Sequence, residues 1–137
     1  CNHWTNPFVI NGESIYVVYG TAAVIGHVFP VFLKFKGGKG IASTAGLILA
    51  VNPIMFLIVA VVFISIVLIT QYVSLASILA VAGYTVFTFI SFMISGSYSI
   101  PHGIAAVILP AIIIYAHRSN IVRLMNGTER KIGEKSK

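Results

Sequence analysis

Residues 41–69 read IASTAGLILAVNPIMFLIVAVVFISIVLI, an apolar run broken near its middle only by Asn52-Pro53. Taken whole, the run is one long, kinked helix; divided at the proline, it is a short helix over Ile41–Val51 and a longer one over Ile54–Ile69. Proline favours division. It lacks an N–H, clashes with the preceding turn and biases the residue before it out of the helical region. The first piece, 11 residues, would rise only about 16 Å against a hydrocarbon core of about 30 Å. It is expected to lie among neighbours as a half-helix or to be lengthened through Lys39, and short segments of this kind often aim an N-terminus at a polar site inside the membrane.

Charge placement supports the same division. The other apolar runs are Ser14–Leu33, Leu75–Ile94 and Ile104–Ala116, and the basic residues form two clusters: Lys34, Lys36 and Lys39, then Arg118, Arg123, Arg130, Lys131, Lys135 and Lys137. Four undivided spans would put the clusters on opposite faces of the bilayer, against the tendency of short basic loops to stay cytoplasmic. Dividing the run at Asn52-Pro53 gives about five membrane segments and returns both clusters to the cytoplasmic face. Residues Cys1–Glu13, with Trp4 near the interface, Asn52-Pro53 and the turn Ser95–His102 then lie outside, while Gln71, Tyr72, Ser74 and Ser77 come to the side of the lysine loop. The expected fold class is an all-α polytopic membrane protein.

Composition leaves little room for a soluble domain, because 58% of the 137 residues are apolar and 9% charged, against roughly half and a quarter in soluble chains. From Gly40 through His117, 78 residues, there is no Asp, Glu, Lys or Arg. The apolar material recurs along the chain instead of standing once before a cleavage site, so a signal peptide does not fit. Cys1 is the sole cysteine, which excludes an internal disulfide and a cysteine metal site. No repeat or low-complexity linker appears, so residues 1–137 are expected to form one domain. A start at Cys1 is the reading of a chain that lacks its beginning.

Three constellations could carry chemistry. Lys36-Gly37-Gly38-Lys39-Gly40 stands immediately before a helix rich in small residues. Glycines let backbone N–H groups line up toward an anion, the helix N-terminus adds its dipole, and Lys39 adds a point charge. Together they describe a phosphate cradle, beside the plainer reading of a flexible loop with topogenic lysines. A nucleotide-binding P-loop does not fit, since Leu33 stands at its first glycine and Gly40 follows the lysine. At the end of the last span, His117, Asn120, Ile121 and Leu124 share a helix face at 100° per residue, with Arg118 beside them and Arg123 turned away. Ser74-Leu-Ala-Ser77 opens a span, where serine is more often an N-cap than a catalyst.

Absences narrow the chemistry further. The chain has no Asp, and Glu13, Glu129 and Glu134 fall outside the apolar runs or in the tail. Carboxylate metal sites, a Ser-His-Asp triad and a His-x-x-x-x-Asp acyltransferase centre are therefore not expected. Nothing points to nucleic acid, and no cofactor is called for.

Gly26-His27-x-Phe-Pro-x-Phe-x-x-Phe-Lys-Gly-Gly-Lys-Gly40, Ser74-Leu-x-Ser77 and His117-Arg-x-Asn-Ile-x-Arg-Leu124, followed by Gly127 and Glu129, resemble the PlsY family of bacterial inner-membrane acyl-phosphate:glycerol-3-phosphate acyltransferases. The resemblance implies a seven-helix enzyme that moves an acyl group from acyl-phosphate to the 1-hydroxyl of glycerol 3-phosphate, giving lysophosphatidic acid. It implies that His117 and Asn120 line the reacting centre and that Ser74 or Ser77 contacts substrate. Lys39, Lys36, Gly37, Gly38, Gly40, His27 and Arg118 would hold phosphate. The family's Ser-Gly-Asn-x-Gly-Ala-Thr-Asn motif, carried on earlier helices, is absent here, so the expectation is a chain that inserts in membranes but does not catalyse unaided. The competing reading is a membrane transporter or scaffold for phosphate-bearing ligands, which would need the cradle but not the His117/Asn120 face.

Overall fold

The computed structural model describes residues 12–30, 37–95 and 99–134. Within them are six helices: α1 (Gly12–Val28), α2 (Ile41–Val51), α3 (Pro53–Thr70), α4 (Val73–Ser95), α5 (Ile100–Ala116) and α6 (Arg118–Met125). α3 and α4, of 18 and 23 residues, are each long and apolar enough to cross a bilayer; α5 and α6 form a third span if counted together across their 61° bend. α1 and α2 are shorter apolar helices. The protein is an all-helical, polytopic membrane protein.

Asn52 is where the apolar run divides, and one residue serves both sides of the break. Its backbone is extended (φ −148°, ψ 90°), its N–H closes α2 on the Ile48 carbonyl, and its Oδ1 accepts the Met55 N–H at 2.9 Å. Pro53 occupies the first turn of α3, where a missing N–H costs nothing. A kinked single helix is therefore excluded. The half-helix expected over Ile41–Val51 is found with those bounds.

α1 packs on α2 and α5, α4 lies between α3 and α5, and α2 also touches α3. The central cluster joins Val17, Val24 and Val28 of α1, Leu47 of α2, and Ala105 and Leu109 of α5. In lipid these contacts gain little from leaving water, so close packing of the interlocking side chains supplies the stability. α3 is the least enveloped helix, with Ile54, Leu57, Val61, Leu68 and Ile69 all exposed. Its hydroxyls are satisfied internally, since Ser65 Oγ donates to the Val61 carbonyl at 2.8 Å and Thr70 Oγ1 to that of Ile66 at 2.7 Å. A helix facing hydrocarbon leaves no donor stranded that way.

Several expected boundaries move. α1 ends at Val28 instead of running to Leu33, with Phe29 closing it through an N–H to the Ile25 carbonyl and Pro30 following. α5 starts at Ile100, with Pro101 in its first turn, so His102 is helical and not part of the outer turn. The sixth helix arises because the chain bends at His117 instead of continuing straight. Cys1–Asn11 with Trp4, the lysines Lys34 and Lys36, residues 96–98 and the far tail 135–137 lie outside the described residues.

Candidate functional site

Gly40 turns the chain from the lysine loop into α2 with a left-handed backbone (φ 78°), a conformation that costs any residue with a Cβ. Gly37 and Gly38 are needed for space: a Cβ on Gly37 would overlap the backbone carbonyls of His27 and Val28, and one on Gly38 would strike the His27 ring. The loop thus lies flat against the end of α1, and the Gly38 N–H donates to the His27 carbonyl at 3.2 Å. Lys39 projects from this loop.

On the far side the chain ends α6 and returns. The Gly127 N–H reaches the Leu124 carbonyl and the Thr128 N–H reaches that of Arg123 (3.2 and 2.8 Å), with Gly127 at φ 67°. This is the Schellman ending, in which glycine at the left-handed position reverses the strand. The reversal carries Glu129 back over α6 and onto α4. There its Oε1 accepts from Ser74 Oγ at 2.7 Å and from Asn120 Nδ2 at 2.6 Å, while Oε2 accepts from Arg123 Nε at 2.7 Å. Burial pushes this carboxyl up, but the bonds from Ser74, Asn120 and Arg123 and the charge of Arg123 more than offset it and hold it down to about 2. Glu129 is ionised, with its side chain only 8% exposed.

The loop, the start of α4 and the α5–α6 bend meet at a cavity of ≈ 350 Å³. Its buried floor is made by Ser74, Ser77, His117 and Asn120, its more open rim by His27, Lys39 and Arg130, and one apolar side by Phe63 of α3. Gly40 and Ile41 bring the N-terminus of α2 to the wall. His117 Nδ1 lies 2.8 Å from the Ile113 carbonyl; because a carbonyl only accepts, Nδ1 carries a proton, and in the neutral ring Nε2 keeps a lone pair. Ser77 Oγ donates to the Val73 carbonyl at 2.8 Å. Asn120 Oδ1 is buried with no partner among the described residues.

Of the sequence-derived candidates, the structure therefore brings together His117, Asn120, Ser74, Ser77, Lys39, Gly40 and His27. Gly37, Gly38 and Arg118 line a neighbouring cavity of ≈ 540 Å³ that also meets Lys39, where the Arg118 guanidinium stacks 4.5 Å from the Tyr115 ring. Lys36 is outside the described residues. Three expectations are corrected. Ser74 does not cap α4, because its hydroxyl goes to Glu129. Arg123 is not turned away, since Asn120 and Arg123, three residues apart on one helix, both reach Glu129. Glu129 is not a tail residue in water. The glycine two residues before it was the available signal for a chain reversal, but not for where the reversal leads.

Lys39 and His117–Arg123 sit at one end of the bundle, as the division at Asn52-Pro53 required. The molecule is an integral membrane protein with a polar, cation-rimmed cavity at one end of its helices. The glycerol-3-phosphate acyltransferase family model matches residues 3–127, and the chain belongs to this family, that of PlsY. It is 45% identical over 126 residues to the glycerol-3-phosphate acyltransferase of Macrococcus caseolyticus, covering 92% of this chain and 62% of that one. With the same enzyme of Clostridioides difficile it shares 46% over 112 residues, covering 82% and 52%. The crystal structure of PlsY, an integral membrane glycerol 3-phosphate acyltransferase, in its glycerol 3-phosphate form superposes with a TM-score of 0.79 at 40% identity, over 89% of this chain and 60% of that one. The lysophosphatidic acid form gives 0.78. The chain spans between about half and three fifths of the length of these relatives.

Proposed function

We propose that this chain forms a single domain of an acyl-phosphate:glycerol-3-phosphate acyltransferase in the bacterial plasma membrane, with its cavity open to the cytoplasm. The observation that carries the reading is the meeting, in one cavity, of a cationic rim with a buried floor of His117, Asn120, Ser74 and Ser77. Binding alone could use the rim; the floor suits a reacting hydroxyl. Family membership and the solved relative in its glycerol 3-phosphate and lysophosphatidic acid forms support the same substrate and product.

An acyl-phosphate is already activated, so the protein's task is positioning and charge stabilisation. The 1-hydroxyl oxygen attacks the acyl carbonyl carbon, forming the new C–O bond; the carbon–oxygen bond to phosphate breaks, and inorganic phosphate leaves. The hydroxyl proton passes to His117 Nε2 or to the departing phosphate. Lys39 and the α2 N-terminus hold the anions and the charge that develops on the carbonyl oxygen. The complete gene product, given radiolabelled acyl-phosphate and glycerol 3-phosphate in detergent, should form labelled lysophosphatidic acid. Binding of both ligands with no transfer of label would leave a carrier or scaffold.

A further inference from the structure

The cavity floor has an unusual hydrogen-bond polarity. Asn120 gives one amide N–H to Glu129, Ser74 gives its only proton to the same carboxylate oxygen, Ser77 gives its proton to the Val73 carbonyl, and His117 carries a proton on the nitrogen that faces Ile113. An ionised carboxylate can only accept, so an Asn120 amide that donates to it must turn Oδ1 the other way. That Oδ1 is buried and has no partner among the described residues, which costs free energy unless a donor arrives. Ser74 and Asn120 line the cavity with donors already committed to Glu129 and lone pairs left over, while the groups at the rim, Lys39 and Arg130, offer donors and positive charge.

We propose that Glu129 is a positioning residue that fixes this polarity: by taking up the Ser74 proton and one amide N–H of Asn120, it turns Asn120 Oδ1 away from itself and makes the floor rich in acceptors, so that it selects the hydroxyl groups of a polyol phosphate and leaves the phosphate to the lysine rim. The inference rests on the acyltransferase reading above and deepens it. It makes Glu129 a determinant of alcohol specificity, acting through Asn120 and Ser74. A phosphate monoester lacking a hydroxyl donor leaves Asn120 Oδ1 unpaired, and rejection of such an analogue is the kind of discrimination that buried polar groups give.

The test compares glycerol 3-phosphate with 3-hydroxypropyl phosphate, which lacks the secondary hydroxyl, as acceptors for the complete gene product. Wild type should prefer glycerol 3-phosphate by about tenfold or more in kcat/KM. In Glu129→Gln, Arg123, which can only donate, claims the Gln carbonyl; the Gln amide then donates to residue 120, turning the Asn120 NH2 into the cavity. The preference should fall to within about twofold of unity, with KM for acyl-phosphate unchanged. Adding Asn120→Asp restores an acceptor facing the cavity and should restore most of the preference. A second measurement needs no variant: without acyl donor, 3-fluoropropyl phosphate should bind wild type about tenfold more weakly than its hydroxyl counterpart. Retention of the preference in Glu129→Gln, no recovery in the double variant, or equal binding of the fluoro compound would each overturn the assignment. Wild type that transfers no acyl group to either alcohol, yet binds hydroxyl over fluoro, would sink the acyltransferase reading and leave the acceptor floor standing.

Discussion

Replacing Gly40 by alanine tests the hinge on which the cavity wall turns. A left-handed backbone costs a residue with a Cβ roughly 1–2 kcal/mol, and the φ of 78° leaves the substituted residue no relief. The new methyl would stand 2.8 Å from Val28 Cγ2, and Val28, buried in the α1 core, has little space to retreat into; overpacking of this kind adds roughly 1 kcal/mol. The total is about 2–3 kcal/mol, or roughly a 6–15 °C fall in Tm for a chain of this size. Gly46 is the control. It lies inside α2, where a Cβ meets nothing within 4 Å, and alanine there should raise helix stability by about 0.8–1 kcal/mol. Thermal unfolding in detergent, followed by far-ultraviolet circular dichroism, separates the two. If Gly40→Ala melts with wild type, or Gly46→Ala falls equally far, the hinge argument is wrong. Activity should fall further than stability in Gly40→Ala, because Lys39 moves with the hinge.

Lys39→Ala should lower kcat/KM by about 100-fold with little change in Tm, the usual scale for loss of a preorganised anion contact; the radiolabelled transfer assay reads it. Glu129 is held at about 2 against an ordinary 4.5, so the unfolded chain binds the proton more readily; this stabilisation is complete above pH 4.5 and is lost as pH falls toward 2. Unfolding measured at stepped acid pH should show that loss in wild type, and Glu129→Gln should flatten it. Asn52→Ala should cost about 1 kcal/mol through the lost cap on α3, seen as a lower melting temperature. With Cys1 replaced by serine, cysteines introduced at Lys39 and Arg123 should be labelled by an impermeant reagent from the same side of the membrane, and labelling from opposite sides would refute the shared face.

How legible these features were depends on the range of the interaction behind them. Asn52-Pro53 could be read because everything that divides α2 from α3 is local: a ring without an N–H and an amide three residues from the donor that it caps. α3 and α4 were legible as spans because hydropathy alone decides them. Lys39, His117 and Asn120, which line one cavity, could be picked out as candidates because loop glycines and helix periodicity are also short-range signals. Ser74 was misread because its partner is 55 residues away, and a serine at a helix start looks like a cap until that partner is known. Glu129 was misread for the complementary reason. A lone acid after the last helix belongs in water by every local rule, and only the reversal at Gly127 together with three waiting donors makes burial favourable.

Beyond Glu129 the described residues tie back to the bundle again. The Ile132 N–H donates to the Gln71 carbonyl at 3.0 Å, at the turn between α3 and α4 where Gln71 itself has φ 63°, and Lys131 lies 5.8 Å from the Tyr72 ring. Mechanically, these contacts stand in series between the end of the chain and the cavity. A pull on the terminus is taken up at the α3–α4 turn before it reaches the three bonds of Glu129, as a strain relief protects the joint behind it. Attachments placed after Glu134 therefore load the turn and spare the carboxylate. A deletion from Lys131 onward leaves Glu129 as the last anchor among the described residues, and every fluctuation of the shortened end falls directly on the residue that organises the cavity.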